Sequence, residues 1–159
     1  MRIVNTSKID TKEIKKLIKA AKGSISTGGV EFHFKNSRRG YAGRCYWNGC
    51  SFSGVFNPLV VVRIQHSNKY PIKMNEDRKI NWEKTEKQRL INSSQKLVFR
   101  KNRRPKYTVH NYKEMLVCLI AHELYHLHLH RRRKKQSEVG CENFAFKKLL
   151  EYREKHGEE

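Results

Sequence analysis

The chain has 159 residues, 35 Lys+Arg against 15 Asp+Glu, a formal charge of +20 and 37% hydrophobic residues. This is one domain's worth of chain, here read as a single metallopeptidase-like domain over 1–159. Its apolar content excludes a wholly disordered polymer, and its longest apolar run, 115–121, is too short to span a bilayer.

The first ten residues hold no apolar stretch and no small-residue cleavage site, so no export signal and a cytoplasmic location are expected. Asp10-Thr-Lys-Glu13 has the form of a capping box. Behind it Ile14, Leu17, Ile18 and Ala21 recur at i, i+3, i+4, i+7, which predicts a helix from about 11 to 22, stopped by Gly23. Residues 30–34 alternate like a strand, and 59–64 read as a more buried one. Between them the glycines of Arg38-Arg39-Gly40-Tyr41-Ala42-Gly43-Arg44-Cys45 suggest a tight turn feeding another strand. From about 66 to 110 the chain is polar and basic. It reads as a long loop or insertion, with a short helix near 82–90 and a short strand at 96–99. Asn111-Tyr-Lys-Glu114 again has capping-box spacing and opens a helix from 112 to about 132. Its apolar face is Met115, Leu116, Leu119, Ile120, Leu124 and Leu127. Ser137 caps a second helix reaching about 155, so the two form a hairpin.

The four cysteines are read as thiols, since a chain without an export signal seldom builds a disulfide framework. Cys118 and Cys141 lie among apolar residues and are expected to be buried. Cys45-x4-Cys50 has the form of half a zinc knuckle, with no second close pair to complete it.

The chemistry concentrates in His122-Glu-Leu-Tyr-His126, an H-E-x-x-H sequence on the predicted helix. The chain's own His and Glu frequencies give roughly 0.03 such matches by chance. Residues i and i+4 share a helical face, so both imidazoles can reach one metal ion. Glu123 sits one step round, where it can hold a water rather than bind the metal. Zinc suits this donor set and lowers the pKa of bound water toward neutrality. That water could attack a peptide carbonyl, with Glu123 as general base and later proton donor. For the third ligand two carboxylates follow, Glu138 and Glu142, one turn apart. A hairpin folded near Lys134 sets Glu142 level with His126; a longer turn brings Glu138 there instead. His128 and His130 are read as surface or outer groups.

These motifs carry a resemblance. His122-Glu-Leu-Tyr-His126 followed by Glu138-x-x-Cys141-Glu142-x-Phe144-Ala145 resembles the gluzincin metallopeptidases, including ImmA/IrrE-like peptidases, whose second motif reads E-x-x-A-D/N-x-x-A. The resemblance implies Zn2+ held by His122, His126 and Glu138, with Glu142 orienting a zinc histidine. Glu142 stands in the Asp/Asn slot and Cys141 in the usual Ala slot. A second resemblance is to SprT-like proteases, through residues 37–45 ahead of a strand and the H-E-x-x-H helix. Those proteins act on DNA-bound protein, which suits +20. Their third ligand is a histidine and they carry a zinc ribbon, neither of which is matched here.

The fold so implied is α+β and zincin-like: an N-terminal helix on a small twisted sheet, covered by a C-terminal active-site helix hairpin. The strand at 59–64 is expected at the edge beside the cleft, where an extended peptide could pair with it. The expected activity is zinc-dependent hydrolysis of peptide bonds in a protein or peptide, with no membrane partner. Tyr107, Tyr112, Tyr152 and His156 are candidate oxyanion donors. One alternative is a basic nucleic-acid-binding protein with a structural or degenerate metal site, contacting phosphates through Arg38, Arg39, Arg44, Arg131, Arg132 and Arg133. Another is a regulatory peptidase that cleaves one dedicated partner protein.

Overall fold

The computed structural model describes residues 1–38, 40–51, 54–65, 67–76 and 104–157. Along them run β1 (Arg2–Asn5), α1 (Thr11–Lys22), β2 (Glu31–Asn36), β3 (Ala42–Tyr46), β4 (Leu59–Ile64), β5 (Ile72–Met74), β6 (Tyr107–Val109), α2 (Tyr112–Arg131) and α3 (Glu138–His156). The class is α+β, in agreement with the sequence.

Local chemistry starts the helices. Asp10 accepts from the backbone N–H groups of Lys12 and Glu13 at 3.1 and 3.2 Å, which satisfies two open donors at the start of α1. Ile14, Leu17, Ile18 and Ala21 are all buried. The Glu13 carboxylate does not turn back to close the capping box. It accepts from the Tyr112 hydroxyl at 3.0 and 3.1 Å and ties α1 to α2. Asn111 caps α2 and Ser137 caps α3, each accepting an N–H at 3.0 Å.

β1 and β2 are parallel, with α1 as the crossover, and β4 runs parallel to β2 on its other side. β3 lies antiparallel to β4, so the order is β1-β2-β4-β3. This corrects one expectation. The strand at 59–64 is interior, flanked on both sides, which is why Leu59, Val60, Val61, Val62 and Ile64 are all buried. The edge strands are β1 and β3.

Pairing fixes which residues face the helices. Phe32, Phe34, Val60, Val62 and Ile64 pack on α1 and on Met115, Leu116, Ile120 and Leu124 of α2 in one core. α2 is covered on nearly every side, by the sheet and α1 and by α3. On the outer side of the sheet Val55, Leu59 and Val61 form a small second cluster. Cys45 packs against the main core and Cys50 against the outer cluster. The two thiols therefore lie on opposite faces and make no half-knuckle.

β5 and β6 pair antiparallel and bracket residues 77–103. The long loop expected over 66–110 is thus ordered into strands at both of its ends. The helix expected at 82–90 and the strand expected at 96–99 lie outside the described residues, as does Arg39. Among the described residues no helix is long and apolar enough to cross a membrane.

The α2–α3 turn sets the register of the site. Arg133 N–H donates to the His130 carbonyl and Lys134 N–H to that of Leu129, both at 2.9 Å, with Arg133 at φ 52°. This helix-ending motif reverses the chain early.

Candidate metal centre

His122 and His126 stand one turn apart on α2, and their Nε2 atoms approach to 3.1 Å. Across from them is Glu138, the first residue of α3. Its Oε1 lies 3.2 Å from His126 Nε2 and its Oε2 3.5 Å from His122 Nε2. One turn further on, Glu142 Oε1 lies 3.3 Å from the other nitrogen of His122, Nδ1. The hairpin pivots on Arg132, so residue 138 opposes 126 and residue 142 opposes 122. A count that pivots near Lys134 misses this by one helical turn. Glu138 meets both Nε2 atoms and Glu142 sits behind His122.

The backing groups set the tautomers. Gln136 donates its amide N–H to the His126 carbonyl at 3.3 Å, which leaves its Oε1 2.8 Å from His126 Nδ1. The carboxylate of Glu142 backs His122 in the same way. Acceptors therefore face both Nδ1 atoms, and with the ring protons held there the Nε2 lone pairs would turn toward each other and toward Glu138. Two lone pairs and a carboxylate this close repel unless positive charge lies among them. Glu142 is itself held by Tyr107 Oη–H at 3.2 Å and by the Asn75 amide at 3.1 Å. Burial raises its pKa, but the contacts with His122, Asn75 and Tyr107 outweigh this and hold the carboxyl below its ordinary value. For His122 burial disfavours the charged ring, yet Glu142, Glu123 and Glu138 together raise its pKa.

Cys141 also belongs here. Its Sγ and one nitrogen of each of His122 and His126 lie within 4.8 Å of one another, a group that could hold a metal ion. The sequence shows Cys141 among apolar neighbours and correctly implies burial. Its surroundings in space are different. Burial, with Glu138, Glu123 and Glu142 nearby, pushes the thiol up to about 12.

Glu123 is buried beside the rings, 7% exposed. Burial raises its pKa against the pull of His122 and His126. Room for it comes from the edge strand. A Cβ on Gly43 would stand 2.5 Å from Glu123 Oε1, so glycine lets β3 pass over the carboxylate without pushing it aside. In the sequence this glycine reads as part of a turn. A cavity of ≈ 230 Å³ opens beside the group, lined by Tyr41, Gly43, Met74, Leu119, His122, Glu123, Glu138 and Glu142 among others.

Other candidates are employed elsewhere. The Tyr107 hydroxyl is taken by Glu142 and that of Tyr112 by Glu13. Tyr152 and His156 line a different hollow, with Lys16 and Lys113. Arg131 donates to the carbonyls of Ser26 and Gly28 at 2.7 and 3.0 Å and pins the end of α2 to the loop after α1. Arg38, Arg44, Arg132 and Arg133 are exposed.

Compared with family models, curated proteins and solved structures, the chain matches none.

Proposed function

We propose that this chain is a zinc-dependent peptidase of zincin-like fold, in which His122, His126 and Glu138 hold the metal and Glu123 is the general base. One observation carries this reading. Zinc–nitrogen and zinc–oxygen bonds of about 2.0–2.1 Å in a tetrahedron put neighbouring donors roughly 3.3 Å apart. The two Nε2 atoms stand 3.1 Å apart, and the Glu138 carboxylate straddles them, with Oε1 3.2 Å from that of His126 and Oε2 3.5 Å from that of His122. Zinc held there would supply Lewis acidity and lower the pKa of its water toward neutrality.

The chain's own groups do the rest. Glu142 and Gln136 hold the rings in the tautomer that turns both Nε2 lone pairs inward. Glu123, buried and unpaired with any Lys or Arg among the described residues, accepts a proton from water at its carboxylate and returns it to the leaving amine. An extended peptide can add along β3, the sheet edge that borders the cavity.

The test is metal analysis with peptide hydrolysis. The protein should carry about one zinc per chain. Glu123→Gln should keep that zinc while turnover falls about 10²–10⁴-fold, the usual worth of a general base. Unchanged turnover would remove its role, and absence of zinc after supply would remove the whole reading.

A second reading, contact with a polyanion, is favoured by the outer side of the sheet. By strand register Arg2, Lys35, Arg44 and Arg63 share that face, and all four are exposed. Retention on single-stranded DNA that falls steeply with salt and survives chelation is the expected outcome. Salt-independent or absent retention would dismiss it.

A further inference from the structure

Resting on the peptidase reading above, we propose that Cys141 is a fourth protein ligand, so that the ion is held by His122, His126, Glu138 and Cys141 and the site rests closed. On α3, Glu138, Cys141 and Glu142 are spaced i, i+3, i+4 and so share the face turned to the two imidazoles. Cys141 Sγ forms a group with one nitrogen of each ring, all within 4.8 Å.

The packing around this thiol is independent support. Cys141 is 0% exposed, as buried as any apolar side chain in the molecule. Yet among the described residues it belongs to neither apolar cluster, whereas Cys118 lies in the main one. Its charged neighbours are Glu123, Glu138 and Glu142. A thiol gains nothing from three carboxylates as a packing group, but a thiolate and those acids are well matched to a shared cation. The two acidic ligands also differ in access. Glu138 is 54% exposed, with Arg104 Nη2 3.9 Å from its Oε2. The cysteine is the fixed, buried donor and the glutamate the one with room to move.

Ligation is balanced by proton release: the thiol S–H breaks, the sulfur–metal bond forms and the proton passes to solvent, with no change of oxidation state. With four protein ligands no position is left for water, so one acidic ligand must let go before turnover begins.

Cobalt(II) titration of the full chain tests this. Wild type should develop an intense sulfur-to-cobalt charge-transfer band in the near ultraviolet that saturates at one equivalent. Cys141→Ser should lose the band and bind zinc on the order of tenfold or more weakly. Cys50→Ser, altered on the opposite face of the sheet, should keep it. Cys141→Ala is measured alongside, with circular dichroism, so that a folding defect of the serine variant is recognised. One cobalt bound per chain without the band overturns thiol ligation and leaves the peptidase reading standing, and a band that persists in Cys141→Ser and Cys141→Ala also overturns it. Failure of wild type to take up either metal overturns both.

Discussion

At Gly43 the absence of one methyl group decides whether Glu123 can occupy its place. A Cβ there would meet Oε1 at 2.5 Å, Cγ at 2.9 Å and Cδ at 3.0 Å. The carboxylate cannot swing into solvent to avoid it, because Glu123 is held between α2 and β3 and is 7% exposed. Gly43→Ala should therefore displace Glu123, the proposed general base, while leaving His122, His126 and Glu138 where they are. Misplacement of a reacting group by about 1 Å costs on the order of 10²-fold. We expect peptide hydrolysis to fall by about that factor with zinc content unchanged, as kinetics and metal analysis on the same preparation would reveal. Full activity in the alanine variant would mean that the approach of β3 to Glu123 is irrelevant to function. The H-E-x-x-H residues are legible in the sequence because their geometry is local, one helical turn. Gly43, Asn75, Gln136 and the setting of Cys141 are not, since each acquires its role from a strand or helix distant along the chain.

On the scale of elements, the helix hairpin is held at its open end by a buried ion pair. Arg153 Nε and Nη2 donate to the two oxygens of Glu114 at 2.8 and 2.7 Å, and Arg153 also reaches the Thr108 carbonyl at 2.7 Å. His110 N–H donates to Glu114 at 2.8 Å. One carboxylate thus joins β6, the start of α2 and the end of α3. Burial raises the Glu114 pKa, but Arg153 and the His110 N–H outweigh it and hold the carboxyl below its ordinary value of 4.5. A group so depressed stabilises the fold above its unfolded pKa, and that stability is lost as pH falls through the folded value. Glu114→Gln should cost roughly 3 kcal/mol at neutral pH, the low end for breaking a buried pair, because Arg153 keeps some access to water. Denaturant unfolding through the acid range checks this. Wild-type stability should drop below the ordinary carboxylate range more steeply than that of the variant, and parallel curves would exclude the pair as a contributor. The caps and apolar periods of α1, α2 and α3 are plain in the sequence. β1, β5 and β6 are not, because strands of three or four residues carry no period and form only where a partner strand waits.

For the molecule as a whole, the α+β class follows from composition and periodicity, while the strand order does not. A run such as 59–64 reads the same whether it lies inside a sheet or at its rim, and only the pairing of β3 distinguishes the two. That order puts the glycine-bearing edge over Glu123 of α2 and brings α3 in from the other side, so sheet, α2 and α3 meet at one cluster of imidazoles and carboxylates. Their mutual repulsion in the absence of positive charge should make global stability depend on metal. Zinc at one hundred times its dissociation constant adds about 2.7 kcal/mol to a fold that alone binds it, worth about 5–10 °C in Tm for a chain of this size. Thermal unfolding followed by circular dichroism should therefore fall by that amount on adding a chelator and recover on returning zinc. Magnesium should not replace it, because two imidazoles suit a softer ion. The outcome that counts against the site is an equal zinc shift in a His122→Ala/His126→Ala double variant. Zinc would then be acting elsewhere on this histidine-bearing helix, at His128 or His130, and the convergence of α2 and α3 would have to be explained without it.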